Sequence, residues 1–183
     1  MGIAYLQRNP TRADLNLFEF VIFRVNKRAL IKKITARLAG ELQIYFRAAQ
    51  FSRAEATHES SKAESKYDTR GLEASYLARG QSKQAAELEA AIAEFEKLNV
   101  RTFADGEAIS IGALVELENG GENFFYFLGP RAGGTEVVHD KKEILVITPH
   151  SPLGEQLLGK KSGDCPQLTL GGTRKPAKIV SVE

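Results

Sequence analysis

Ser151-Pro152-Leu153-Gly154-Glu155-Gln156-Leu157-Leu158-Gly159-Lys160-Lys161-Ser162-Gly163-Asp164 carries a structural instruction at nearly every position. A serine before a proline starts a helix: Ser151 can cap free N–H groups, and Pro152 suits the first helical position. Leu153, Leu157 and Leu158 recur at helical spacing and are expected to face a common core. Gly159 stands where a helix stops, with Lys160 and Lys161 near the negative end of the helix dipole. Ser162-Gly163-Asp164 then reads as a tight turn. The stretch predicts a helix of about two turns, capped at both ends and set between strands, which is a device that organises a small mixed domain.

Outward from this helix the flanking sequence is strand-like. Ile144-Leu145-Val146-Ile147-Thr148 is almost wholly apolar and is expected to be a central strand. Upstream, Ile111, Ala113, Val115 and Leu117 alternate with other residues as a strand does, and Asn119-Gly120-Gly121 is a strong hairpin turn signal. Phe124 to Leu128 follows as a second strand, stopped by Gly129-Pro130, with a loop containing Gly133-Gly134 after it. Its aromatic side chains are expected to alternate between the core and a partly exposed face. Downstream come Gln167 to Leu170, a Gly171-Gly172 turn, and Ala177 to Val182. Residues 109–183 therefore predict a small antiparallel or mixed sheet with one short helix packed on it.

The N-terminal half has another period. From Lys27 to about Glu59, Ile31, Ile34, Leu38, Leu42 and Tyr45 recur at spacings of three and four, with Asn26 as the cap. A second helical run extends from about Leu72 to Leu98, with Ala85, Leu88, Ile92 and Phe95 as its stripe. Two long runs with narrow apolar seams predict an antiparallel coiled-coil hairpin over residues 26–98, whose tip lies near 60–72. At about 1.5 Å per residue, an arm of roughly 30 residues projects some 45 Å. Such an arm either reaches a partner or serves oligomerisation. Residues 99–108 read as a linker with a turn at Asp105-Gly106. The fold class is thus α+β, a helical hairpin followed by a small sheet domain.

Composition bounds the function. The 183 residues are 43% hydrophobic and 26% charged, with a formal net charge of +2, which is too mild to argue for nucleic-acid binding from bulk charge. A single cysteine, Cys165, excludes an internal disulfide. His58, His139 and His150 lack metal-ligand spacing, and no phosphate-binding glycine loop or nucleophile elbow is present. No apolar run is long enough to span a bilayer, so no membrane partner is expected. Residues 1–25 form an N-terminal extension containing Phe18-Glu19-Phe20-Val21-Ile22-Phe23, which lacks the cleavage pattern of a secretory signal. The native start is expected near Val25.

The Ser151–Asp164 run resembles the S-P-L-G-x-x-L-L-G-K-K-x-G-D segment of the bacterial Gre transcript-cleavage factors, GreA and GreB. The order of hairpin and globular part also matches that family, so the resemblance covers roughly residues 27–183. It implies a C-terminal domain with the fold of the FK506-binding prolyl isomerases, although the chain has no Trp to floor an isomerase pocket. It implies a cytoplasmic factor, expected to be monomeric, that partners RNA polymerase and meets nucleic acid only within the elongation complex. The C-terminal domain would dock outside the polymerase, making Ser151, Pro152, Leu153, Gly154, Lys160 and Lys161 the interface candidates. The hairpin would enter the secondary channel, where tip carboxylates help to hold a catalytic Mg2+ so that backtracked RNA is cleaved in the polymerase's own site. Hard Mg2+ takes oxygen ligands, which is why carboxylates are needed. No cofactor or stable metal of its own is implied.

The tip departs from the family pattern. Where Gre factors read approximately G-D-L-x-E-N-A-E-Y, this chain reads Tyr67-Asp68-Thr69-Arg70-Gly71-Leu72-Glu73-Ala74-Ser75-Tyr76. Asp68 and Glu73, the candidate carboxylates, are five apart rather than three. If both lie on one side of the turn they can still converge on an ion; if the second helix starts at Thr69 or Arg70, the two point in different directions. A tip that enters without supporting cleavage makes an inhibitor or modulator instead. From another class, a coiled-coil adaptor dimerising through the hairpin is the remaining reading.

Overall fold

The computed structural model describes residues 25–57, 70–170 and 172–183. The N-terminal extension before Val25, Asp68 and most of the expected tip lie outside the described residues. Two long helices, α1 (Lys27–Thr57) and α2 (Arg70–Glu96), precede the strands β1 (Leu114–Asn119), β2 (Glu122–Leu128), β3 (Glu136–His139) and β4 (Lys142–Ile147). A short helix, α3 (Pro152–Leu157), then leads to β5 (Gln167–Leu170), β6 (Thr173–Pro176) and β7 (Lys178–Val182). The Asn26 side chain accepts from the Ala29 N–H at 3.1 Å and so caps α1 as its sequence predicts. The chain is an α+β protein with a helical hairpin followed by a small sheet domain.

The main sheet runs in the order β3-β4-β2-β1-β7, and β5 and β6 form a separate two-stranded ribbon. β1 pairs antiparallel with β2 and β7, β4 pairs antiparallel with β3, and β2 pairs parallel with β4. The sheet is therefore mixed, with β2 at its centre. The apolar run beginning at Ile144 forms an interior strand as expected, flanked by β2 and β3. Two expectations need correcting. β3 lies where a loop is expected: Asp140 and Lys141 make the β3–β4 turn with positive φ of 49° and 63°, a job the sequence gives to neither glycine nor asparagine. The ribbon strand Thr173–Pro176 was also missed, because its side chains are all exposed and carry no apolar period.

Both faces of the sheet are covered, and this explains its apolar density. On one face Leu114, Phe127, Ile144 and Val146 pack against the root of the hairpin, meeting Leu30, Ile34, Leu38, Ala91 and Phe95. The Phe95 and Phe127 rings stand 6.3 Å apart. On the other face Val115, Leu117, Leu128, Ile147 and Ile179 join Leu157 of α3, Leu168, Phe103 and Ile109. Neighbouring residues such as Phe127 and Leu128 thus enter different cores, as the alternation of a strand dictates. In β1 the expected alternation holds for Val115 and Leu117, but Leu114 on the opposite face is buried too, against the hairpin, and Ile111, ahead of the strand, is exposed. Each fully buried Leu or Ile at this junction contributes about 1.5–3 kcal/mol.

Polar groups fix the hairpin root to the sheet. The Val25 N–H donates to Glu183 Oε2 at 2.9 Å, and Lys33 Nζ donates to the Val138 carbonyl at 2.9 Å. Arg131 pairs with Glu94 across the same junction. Lys27 is buried; its ammonium donates to the carbonyls of Arg101 at 2.9 Å and Gly112 at 3.1 Å, and it sits 4.5 Å from the centre of the Phe103 ring. Burial pushes its pKa down to about 8, against the opposing pull of Glu183. Because the unfolded lysine keeps its proton to about pH 10.5, folding releases that proton between pH 8 and 10.5, and stability rises with pH across that window. The neutral amine retains N–H donors for both carbonyls. Thermal midpoints at pH 7.5 and 10 should therefore show wild type gaining on Lys27→Met at the higher pH; a constant gap would contradict this.

Candidate functional site

The hairpin changes character along its length. Near the root the seam is built of Leu30, Ile34, Leu38, Ala91 and Phe95, all buried. Beyond residue 42 the positions that continue the seam at three- and four-residue steps are Tyr45, Ala49, Ser52 and Ala56 on α1. On α2 they are Ala74, Ala78, Gln81 and Ala85. Small residues let helices approach closely and make a slim arm. In the middle of it Ser52 is buried, and its hydroxyl donates to Gln81 Oε1 at 2.9 Å, which sets residue 52 level with residue 81. A polar pair in an apolar seam fixes register at some cost in stability.

The large apolar residues of this distal half lie outside the seam. Ile44, Phe46, Phe51, Leu72, Tyr76 and Leu77 are each half exposed or more. Sequence periodicity pointed to the seam and missed them, although the runs Ile44-Tyr45-Phe46 and Tyr76-Leu77 were visible as apolar residues that no single helical face can bury. Glu73, one of the two candidate carboxylates, is exposed in the first described turn of α2, where the helix dipole favours a negative charge. Asp68 lies outside the described residues. The described part of α2 begins at Arg70, between them. Among the described residues no group of three or more His, Cys, Asp or Glu side chains is placed to hold a metal.

The interface candidates around α3 divide sharply by burial. Ser151 is committed to the fold: its hydroxyl accepts from the Gly154 N–H at 3.1 Å and donates to the Thr148 carbonyl at 2.8 Å. Gly154 is buried. Leu153 is half-buried against the second core, and Leu158, expected inside, is exposed because the helix ends at Leu157. Gly159 follows with φ 78°. Its N–H donates to the Ile109 carbonyl at 2.9 Å, while the Ile109 N–H donates to the Lys160 carbonyl at 2.8 Å. The backbone at Lys160 is thus fixed, while the side chains of Pro152, Lys160 and Lys161 are open to solvent. Cys165 is exposed, His139 is buried at the end of β3, and His150 is exposed.

Beside the start of α3 lies a cavity of about 550 Å³, lined by Phe124, Tyr126, Leu145, Pro152, Leu153, Thr169 and Lys175. Burial raises the Tyr126 phenol pKa. Thr169 comes from β5 and Lys175 from β6, the strand whose exposed residues give no sequence signal.

No protein-family model matches the chain, and no curated protein matches it. Among solved structures it is similar to GreA factor homolog 1 (Gfh1) of Thermus thermophilus, at 24% identity over 81% of this chain and 94% of that one, with a TM-score of 0.35. It is likewise similar to Gfh1 of Thermus aquaticus, at 25% identity over 82% and 94%, with a TM-score of 0.36. Superpositions this loose decide neither fold nor function. No helix among the described residues is long and apolar enough to cross a membrane.

Proposed function

We propose that the chain is a Gre-like factor of transcription elongation that binds RNA polymerase and lowers its helical arm into the secondary channel. The observation that carries this reading is the arm itself. Its distal half is narrow, seamed with alanines, and turns its large apolar side chains outward, which is costly for a free helix pair and useful for one that enters a protein cavity. The resemblance of Ser151–Asp164 to the Gre segment supplies the partner. The sheet domain would dock near the channel rim through Pro152, Leu153, Lys160 and Lys161, with Ser151 and Gly154 holding the shape of that surface rather than touching the partner.

In this reading the protein is not itself an enzyme, needs no cofactor of its own and acts as a monomer in the cytoplasm. The arm presents Asp68 and Glu73 to the polymerase active site, where Mg2+ bound by the polymerase supplies the charge stabilisation for hydrolysis of backtracked RNA. The protein's share is positional: it holds oxygen ligands at the end of a rigid lever. A second reading, a Gre-like modulator that occupies the channel without supporting cleavage, is favoured by one observation. Asp68 and Glu73 are five apart in sequence rather than the three of the Gre pattern, with Arg70 between them. Stalled, backtracked elongation complexes separate the two. RNA shortening on addition of the protein supports the first; binding without shortening, with slowed nucleotide addition, supports the second. Absence of binding rejects both.

A further inference from the structure

Among the described residues Lys27 is the one buried lysine. A buried ammonium ordinarily has a carboxylate beside it. Lys27 is held instead by two carbonyl oxygens, those of Arg101 and Gly112, next to the Phe103 ring. Its side chain also forms part of the wall of a cavity of about 570 Å³, where the hairpin root, the linker and the end of β7 meet. That wall has two characters. Val100, Phe103 and Val182 make part of it apolar, while Arg28 and Arg101, both exposed, bring positive charge. Two of its carboxylates are already engaged: Glu183 accepts from the Val25 N–H, and Glu116 from the side chains of Asn123 and Ser181. Asp105 is the remaining acid of the wall, and it is exposed.

We propose that Lys27 is an acylation site, modified directly by a small acyl phosphate that this cavity admits. The amine lone pair attacks the acyl carbon, and the bond from that carbon to the phosphate oxygen breaks. Phosphate leaves with the electron pair, and the nitrogen's extra proton passes to water, so nothing is oxidised or reduced. A neutral amine has two N–H groups, the number that the two carbonyls accept, and its lone pair is the part left unengaged. Guanidinium groups suit a phosphate, and the apolar part of the wall suits the acyl chain. Burial, which lowers the Lys27 pKa to about 8, outweighs the pull of Glu183 and Glu107, and Arg101 acts in the same direction as burial. At pH 8 roughly half of Lys27 is therefore neutral, against about 0.3% of an ordinary exposed lysine. The product amide has one N–H and no charge, so it keeps one carbonyl bond and loses the attraction to the Phe103 ring. Acylation thereby loosens the clasp between α1 and the linker, at the root from which the arm projects. None of this depends on the polymerase reading.

The test incubates the full chain with acetyl phosphate at pH 8 and reads acetylation lysine by lysine by peptide mass spectrometry. Lys32 and Lys160, both exposed, serve as internal standards. Lys27 is expected to react about tenfold faster than either, and excess inorganic phosphate should slow Lys27 alone. Arg28→Gln alters an exposed side chain and should cut the Lys27 rate about fivefold, with the Lys160 rate and the circular dichroism spectrum unchanged. Acetylated wild type should melt roughly 3–6 °C lower, a fall that Lys27→Arg given the same treatment does not show. If Lys27 reacts no faster than Lys32, the proposal is overturned. Fast reaction that neither phosphate nor Arg28→Gln slows overturns the acyl-phosphate assignment, because the cavity is then not holding the reagent. An unchanged melting point after Lys27 is acetylated overturns the loosened clasp.

Discussion

Gly154→Ala is expected to destabilise the sheet domain by about 3 kcal/mol or more, lowering the thermal midpoint by roughly 6–12 °C. A Cβ on Gly154 would stand 1.9 Å from the Thr148 carbonyl oxygen, 2.8 Å from its carbon and 2.9 Å from Ser151 Oγ. Two of these are backbone atoms, which no rotamer change can move aside. The displaced groups have further duties: the Thr148 carbonyl accepts from the Ser151 hydroxyl and from the Ser151 N–H, and Ser151 caps α3. The turn between β4 and α3 therefore has to open, and Leu157, which α3 inserts into the second core, loses its anchor. Gly159→Ala is the control. It has open space around it and carries only the strain of its positive φ, so it should cost about 1 kcal/mol. Calorimetry of both variants checks the ranking, and equal losses would contradict it.

The same glycine shows how much the sequence discloses. Ser151-Pro152 announced the helix start, and the structure places the cap where the residues imply. Gly154 read as an interface candidate, since nothing local shows that the Thr148 carbonyl lies against it. The hairpin, its direction and its root seam were legible because Ile31, Ile34, Leu38, Leu88, Ile92 and Phe95 keep a helical period. β3 and β6 were not: one turns on Asp140 and Lys141, a positive-φ pair without the glycine that marks such turns, and the other has no buried side chain to set a period. Of the candidate site, Glu73 could be placed near the end of α2 from sequence. The outward placing of Phe51 could not, because deciding that it faces away from α2 requires the Ser52–Gln81 register.

Replacing Asp68 and Glu73 together by alanine is expected to lower the rate of RNA shortening about hundredfold, with polymerase affinity within a few-fold of wild type. The carboxylates add oxygen ligands at a reacting metal and little contact area. Glu73→Gln alone keeps shape and hydrogen-bonding capacity but removes the charge, and should lose most of the same rate if Glu73 is a ligand. Gel analysis of the RNA in backtracked complexes reads both. Shortening that survives the double substitution would move the chemistry to other residues of the tip.

The most direct test of the arm's role is hydrogen exchange on the intact protein with and without core RNA polymerase. If the arm is enclosed, amides in residues 44–57 and 70–82 slow markedly on binding, while those in residues 28–37 change little. Protection confined to the sheet domain, with the distal arm exchanging as in the free protein, would contradict insertion.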